Sequence, residues 1–247
     1  WFNIEYKSKI VEKYGRVFSS KENGSLKKYS PKINSFIEIL DKSEGIIMIY
    51  SQFIGGGCIP IGLALEEAGY DNYLTNNLFK KRPIKEKKGK YMMITGDKKL
   101  TPKKDLIKAL TICNSKENAK GEKIKVIIIS KAGSEGIDFK NIRQIHILEP
   151  WYNLNRIGQI EGRGVRNLSH CFLPFKERNV MVFLHCLHTN NKSHESIDFY
   201  IYRHAEQKAI KIGKISRILK ELAVDCLLNK DGHNSLNESN NNVKQKI

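Results

Sequence analysis

The chain reads as a mostly parallel α/β sheet with helices on both of its faces and a helical extension at its carboxyl end. Three observations predict this. Short β-prone runs at 46–50 and 124–129 are apolar at nearly every position, as strands buried on both sides must be. Segments with apolar residues at helical spacing lie between such runs, so strand and helix alternate. Glycine-bearing loops at 51–57 and 130–138 leave the carboxyl ends of two of these runs, where open parallel sheets place their ligands.

From the amino end, residues 1–29 are polar and lysine-rich and read as a linker or arm. Ser30-Pro31 then opens a helix. Ser caps well and Pro is tolerated at the first helical position, and Ile33, Phe36, Ile37 and Leu40 follow at helical spacing until Gly45 stops the run. The strand over 46–50 comes next. Gly55, Gly56 and Gly57 do not form a phosphate loop, because no Gly-Lys-Ser/Thr follows them; a flexible turn into a helix over 61–68 is expected. Ser51 and Gln52, at the carboxyl end of the strand, are placed to contact a ligand. Residues 71–90 form a basic, irregular, solvated insertion carrying Lys80, Lys81, Arg82, Lys85, Lys87, Lys88 and Lys90. Strands are expected over 91–95, 124–129, 143–148 and 179–184, with a helix over 101–111 begun by Thr101-Pro102. This gives one α/β domain over 30–190. Residues 191–228 form an amphipathic helical extension, as one helix or two joined near Gly213, and the Asn-, Ser- and Lys-rich 229–247 form a tail.

Charge narrows the function. Lys and Arg number 43 against 26 acidic residues, a formal net charge of +17, which argues for a polyanionic partner with nucleic acid first. The five cysteines, Cys58, Cys113, Cys171, Cys186 and Cys226, are odd in number and lack a C-x-x-C, as in a reducing intracellular compartment. His185, Cys186 and His188 read as packing and not as a metal site, since neighbours on a strand face opposite ways. No apolar run reaches membrane-spanning length, so no membrane partner is expected. A chain that begins at Trp1 without an initiator Met reads as a piece of something longer.

Two stretches carry the chemistry. In 159–166, Gln159, Arg163 and Arg166 would lie within roughly 60° of one another on a helix, because spacings of four and seven return to one face. Arginine keeps its charge and presents a rigid fork to phosphate oxygens, so such a pair suits phosphoryl transfer, with Gly162 and Gly164 leaving room for close approach. In 130–138, Gly133 and Gly136 permit close backbone approach, Ser130 and Lys131 can meet phosphates, and Asp138 offers a carboxylate for ribose hydroxyls. Each stretch alone is also compatible with a solvated basic helix end or an ordinary glycine turn.

Together these stretches resemble the second RecA-like domain of superfamily 2 helicases and translocases. Residues 46–53 look like motif IV, 130–138 like motif V, and 159–166 match the motif VI pattern Q-x-x-G-R-x-x-R. Further stretches, at 166–170, 173–180 and 219–226, look like helicases of nucleocytoplasmic large DNA viruses, relatives of the poxvirus early transcription factor small subunit. The resemblance implies that Arg163 and Arg166 are arginine fingers reaching the ATP γ-phosphate across an interdomain cleft, with Gln159 orienting them. It places Gly136 and Asp138 at the nucleotide ribose, and Ser51, Gln52, Ser130 and Lys131 on the nucleic-acid backbone. Glu135 departs from the A-R-G-I-D form of motif V, which carries Arg there. It also implies DNA or RNA as a partner, the viral transcription machinery as another, and a host cytoplasmic or virion setting.

No G-x-x-x-x-G-K-[ST] occurs in the chain, so ATP and Mg²⁺ are expected to be held mainly by an upstream RecA-like domain of the same protein, and the isolated chain to turn over little ATP. Three classes stay open: a motor domain, a nucleic-acid-binding or transcription-factor module of the same fold without ATP coupling, and an unrelated α/β nucleotide-binding enzyme such as a methyltransferase. The absence of a glycine-rich loop after the first strand argues against the last.

Overall fold

The computed structural model of the chain describes residues 2–21, 24–131, 136–188 and 195–224. Six strands form one sheet, and all five pairings are parallel: β1 (Ile46–Tyr50), β2 (Tyr70–Asn72), β3 (Gly89–Ile94), β4 (Val126–Ile129), β5 (Ile142–Ile147) and β6 (Met181–Leu184), in the order β2-β3-β4-β1-β5-β6. Every residue of β1 and β4 is buried, which is why both runs are apolar throughout.

Alternate side chains of the strands feed two cores. Ile47, Ile49, Tyr91, Met93, Val126 and Ile128 meet α3 (Pro31–Leu40) and α4 (Ile59–Ala68) on one face. Met48, Met92, Ile127, Ile129 and Ile145 meet α5 (Lys103–Cys113) and α6 (Leu154–Gly164) on the other. Two shorter helices, α1 (Ser8–Tyr14) and α2 (Leu26–Tyr29), precede them, and α7 (Ile197–Glu221) follows β6. Ser30 does precede α3, but its side chain makes no capping hydrogen bond; Pro31 at the first turn supplies the start.

Three segments gain detail. The amino-terminal segment is docked as an arm: Ile4 pairs with Phe79 across a parallel bridge, the Tyr6 hydroxyl donates to Glu67 at 2.9 Å, and Arg16 pairs with Glu67 at 2.7 Å. The 71–90 insertion is likewise built in. Leu74, Leu78 and Phe79 are buried, and three of its cations are paired, Lys80 with Glu5, Arg82 with Asp71 and Lys88 with Asp41. The short strand β2 at its start, bonded to β3, escaped the periodicity because three residues are too few to alternate. Lastly, of the two alternatives for the extension the single helix is found: α7 passes through Gly213 without a break. It buries only Asp198 and Ala205, and Ile212, Ile215, Leu219 and Leu222 stand exposed along its second half. The tail 229–247, Glu135 and Cys226 lie outside the described residues.

β5 and the segment after β6 share a buried imidazole pair. His146 Nε2 donates to Gln144 Oε1 at 3.2 Å, which leaves His146 Nδ1 to accept from His185 Nε2 at 2.9 Å, while Phe36 and Phe183 pack on its ring. Burial, with the neighbouring imidazole, pushes His146 down to about 3, and burial, with Lys32, pushes His185 down to about 4. Both lie below the ordinary 6.5. A depressed folded-state pKa contributes stability that is present above the unfolded value and lost as pH falls towards the folded one. Imidazole titration by NMR should therefore leave two of the seven histidines neutral at about pH 5, and the urea midpoint should fall steadily below about pH 6.5. Ordinary titration of all the imidazoles would contradict the buried pair.

Candidate nucleotide and nucleic-acid site

The site is assembled along α6. This helix begins beyond β5, where Asn153 Oδ1 accepts from the Asn155 amide at 2.9 Å, and it runs back along the sheet. Its first turns lie beside Tyr50 at the carboxyl end of β1, and its last residue lies against Ile142 at the start of β5. Ile157, Ile160 and Gly164 face the core, which turns Gln159 and Arg163 outward. The sheet's carboxyl edge and the arginines are therefore joined by the length of one helix instead of lying on a single edge.

Arg163 and Arg166 converge on one carboxylate. Arg163 Nη1 lies 3.7 Å from Asp138 Oδ1, and Arg166 Nη1 is bonded to Asp138 Oδ2. Both Asp138 and Arg166 are open to solvent. The geometry corrects the helical reading in one respect: α6 stops at Gly164, and Val165 is extended, so Arg166 reaches Asp138 from beyond the helix, its Nε donating back to Gly162 O at 3.0 Å. Gly164 explains the stop. A Cβ there would sit 3.1 Å from Ile142, so the glycine serves packing against β5, while a Cβ at Gly162 would meet open space. Gly136 has φ +73°, a backbone conformation that L side chains rarely adopt, and open space around it.

Both serines are buried, Ser51 at 0% and Ser130 at 1% exposed. Ser51 Oγ donates to Glu149 Oε1 at 2.8 Å, and the half-buried Gln52 gives its amide to Glu149 Oε2 at 3.1 Å. Burial raises the Glu149 carboxyl above its ordinary range, against the hydrogen bonds from Ser51 and Gln52 that lower it. Gly57 is needed here, since a Cβ would come within 1.8 Å of Ser51 Oγ. Glu149 thus ties the loop after β1 to the loop after β5, a role that its sequence context does not announce.

Lys131, Gln159 and Arg163 line one cleft of about 420 Å³, together with Tyr50, Trp151 and Arg156. Among the described residues, its lining carries three cations and no carboxylate. Arg156 was not singled out by sequence, although it precedes Gln159 by three and Arg163 by seven; carrying the same spacing one turn upstream would have found it. Among the described residues, no group of three or more His, Cys, Asp or Glu could hold a metal ion, and no helix is long and apolar enough to cross a membrane.

Comparison with known proteins gives a match to the helicase conserved C-terminal domain over residues 31–167. "Putative helicase 087L" of Invertebrate iridescent virus 3 is 37% identical over 215 residues, covering 83% of this chain and 21% of that protein. A "Termination factor NPH-I homolog" of African swine fever virus is 30% identical over 237 residues, covering 81% of this chain and 33% of its own length. The chain spans about a fifth to a third of these relatives. Among solved structures, the C-terminal part of the Fun30 ATPase domain is similar at 19% identity with a TM-score of 0.47, covering 70% of this chain and 44% of that one.

Proposed function

Because the chain belongs to the family of helicase conserved C-terminal domains, we propose that it is the second motor half of an ATP-dependent nucleic-acid helicase or translocase serving viral transcription. Its parallel sheet is the RecA-like core of that family. One observation carries the reading: two arginines of the Q-x-x-G-R-x-x-R stretch converge on a single exposed carboxylate, so their forks are already held together around one pair of oxygens. A phosphate presents oxygens of the same kind, and the pair fits it.

On this reading Arg163 and Arg166 neutralise charge on the γ-phosphate of an ATP bound mainly by an upstream RecA-like domain, which also supplies the carboxylates for Mg²⁺. ATP and its Mg²⁺ bring the reactive phosphoryl group; this chain brings cations and their placement. Gln159 lies one turn before Arg163 on the same outward face and orients the approach. Asp138, expected at the ribose, first serves to hold the fingers together; on cleft closure the phosphate takes its place between them, and the carboxylate is released to the ribose beside Gly136.

The nucleic-acid track shifts from Ser51 and Ser130 to the exposed Lys131 and the cleft it lines. Backbone contact without base readout gives little sequence preference. Lys131→Ala should weaken binding alike on all sequences and reduce the slope of log K against log salt by about 0.7 on single strands or 0.9 on duplex. An unchanged slope, with a collapse when Lys80 to Lys90 are neutralised, would move the track to the β2 edge. The whole assignment is tested by ATPase assays of the intact protein with and without nucleic acid. Stimulated turnover supports a motor, whereas binding without turnover supports the uncoupled module that Glu135 suggests.

A further inference from the structure

We infer that the cleft between the end of β1 and the first turns of α6 is an oxyanion site built on Arg156, and that it takes a phosphate of the nucleic-acid strand. The inference deepens the proposed track and rests on it for the identity of the strand.

Arg156 is the arginine that the fold leaves unsatisfied. Every other described arginine has a carboxylate or carbonyl for its guanidinium: Arg16 has Glu67, Arg82 has Asp71, Arg143 has Glu177, Arg163 and Arg166 have Asp138, Arg178 has Leu173 O, Arg203 has Glu195 and Arg217 has Glu221. Arg156 has none, and its Nη2 is buried without a hydrogen-bond partner. The Tyr50 hydroxyl in the same cleft is also buried without a well-formed hydrogen bond, its hydrogen-bonding side-chain neighbour being the Arg156 guanidinium, with which it interacts weakly. Buried polar groups are normally paired with a good acceptor, and a guanidinium N–H whose polar neighbour is a phenol marks a position for one.

The placement is rigid and the charge is uniform. The guanidinium lies over the Trp151 ring with its carbon 4.3 Å from the centroid, and 5.8 Å from that of Tyr50. Stacking fixes the plane of the fork and leaves its N–H edge for an oxyanion. The first turn of α6 contains no acidic residue, so its amide dipoles add to the same sign. Asn155 and Lys131, which line the cleft, supply further donors at its rim. Arg156 precedes Arg163 by seven residues, roughly 10 Å along the helix axis. A phosphate held at Arg156 is thus separate from one held by the finger pair, and it sits beside Lys131, towards the carboxyl edge.

The test uses the intact protein and two probes, a fluorescein-labelled single-stranded oligonucleotide and a fluorescent ATP analogue. Arg156→Ala should weaken oligonucleotide binding by about 10- to 100-fold, the loss expected of one charge-assisted contact, and reduce the salt slope by about 0.7. Arg156→Lys keeps the charge but not the stacked fork, so it should restore the slope while recovering only part of the affinity. Circular dichroism and an unshifted urea midpoint check folding, and Tyr50→Phe, which removes one hydroxyl, provides a milder probe expected to weaken binding severalfold. If oligonucleotide binding responds to Lys131→Ala and to neither Arg156→Ala nor Tyr50→Phe, this site is overturned and the track stands. If Arg156→Ala weakens the ATP analogue and spares the oligonucleotide, the oxyanion site belongs to the nucleotide and the strand assignment is overturned. If the unaltered protein binds no oligonucleotide at low salt, the track and this site fall together.

Discussion

If Arg163 and Arg166 act as proposed, Arg163→Ala or Arg166→Ala in the intact protein should lower ATP turnover by about 10³- to 10⁵-fold, the range for an arginine that stabilises charge in phosphoryl transfer. The alternative is easily distinguished. If the two arginines served only their bond to Asp138, which is solvent-exposed, losing either would cost about 0–1 kcal/mol of stability and leave catalysis intact. Nucleotide affinity should change far less than turnover, because the contact is completed only when the cleft closes on the transition state. Arg166→Lys should recover little, since a point charge does not reproduce a planar fork. The measurement is single-turnover hydrolysis at saturating ATP and nucleic acid. Near-normal rates in both alanine variants would make the protein a binding module.

The largest stability effect is expected far from the cleft. Glu66, on α4 and 1% exposed, accepts from the Leu78 amide at 2.7 Å, the Phe79 amide at 2.9 Å and the Tyr91 hydroxyl at 2.8 Å. One carboxylate thus joins α4, the insertion and β3. Glu66→Ala would leave three buried donors without an acceptor, and each costs about 1–3 kcal/mol, so a loss of about 3–5 kcal/mol is expected after partial relaxation. Against a total stability of about 5–15 kcal/mol, that should bring the urea midpoint down steeply. Glu66→Gln keeps one acceptor oxygen and should lose less. A midpoint unchanged in Glu66→Ala would mean that the insertion is held by Leu78 and Phe79 packing alone.

What could be read from sequence divides along physical lines. Strands buried on both faces announce themselves, because 46–50 and 126–129 have no polar face to hide. The outward face shared by Gln159 and Arg163 was legible because a spacing of four on a helix converts directly into a shared direction, whereas Arg166 lies beyond the end of α6 and meets Asp138 from extended backbone. The bond from Ser51 to Glu149 was not legible, because a hydroxyl at a strand's end looks the same whether it faces a ligand or a buried carboxylate, and Glu149 is 98 residues away in the chain. The docking of the arm was illegible for the same reason: Tyr6 and Arg16 meet Glu67 through tertiary contacts that no local window contains. Arg156 was hidden by an adequate local explanation, a cation near the start of a basic helix, and its lack of a carboxylate or carbonyl partner sets it apart from the other described arginines.

Asp138 bears on the energetics of the approach to ATP. An ion pair exposed to solvent contributes about 0–1 kcal/mol, so in competing with an incoming phosphate it can weaken nucleotide binding by no more than about fivefold. What it gives in return is conformational. Two long guanidinium side chains that would otherwise sample many rotamers are gathered around one pair of oxygens before any ligand arrives, and each immobilised side chain of this kind saves about 0.5–1.5 kcal/mol of ordering on binding. On the proposed reading, that entropy is lost during folding instead of during the catalytic cycle, and Asp138 would act as a placeholder for a phosphate between Arg163 and Arg166.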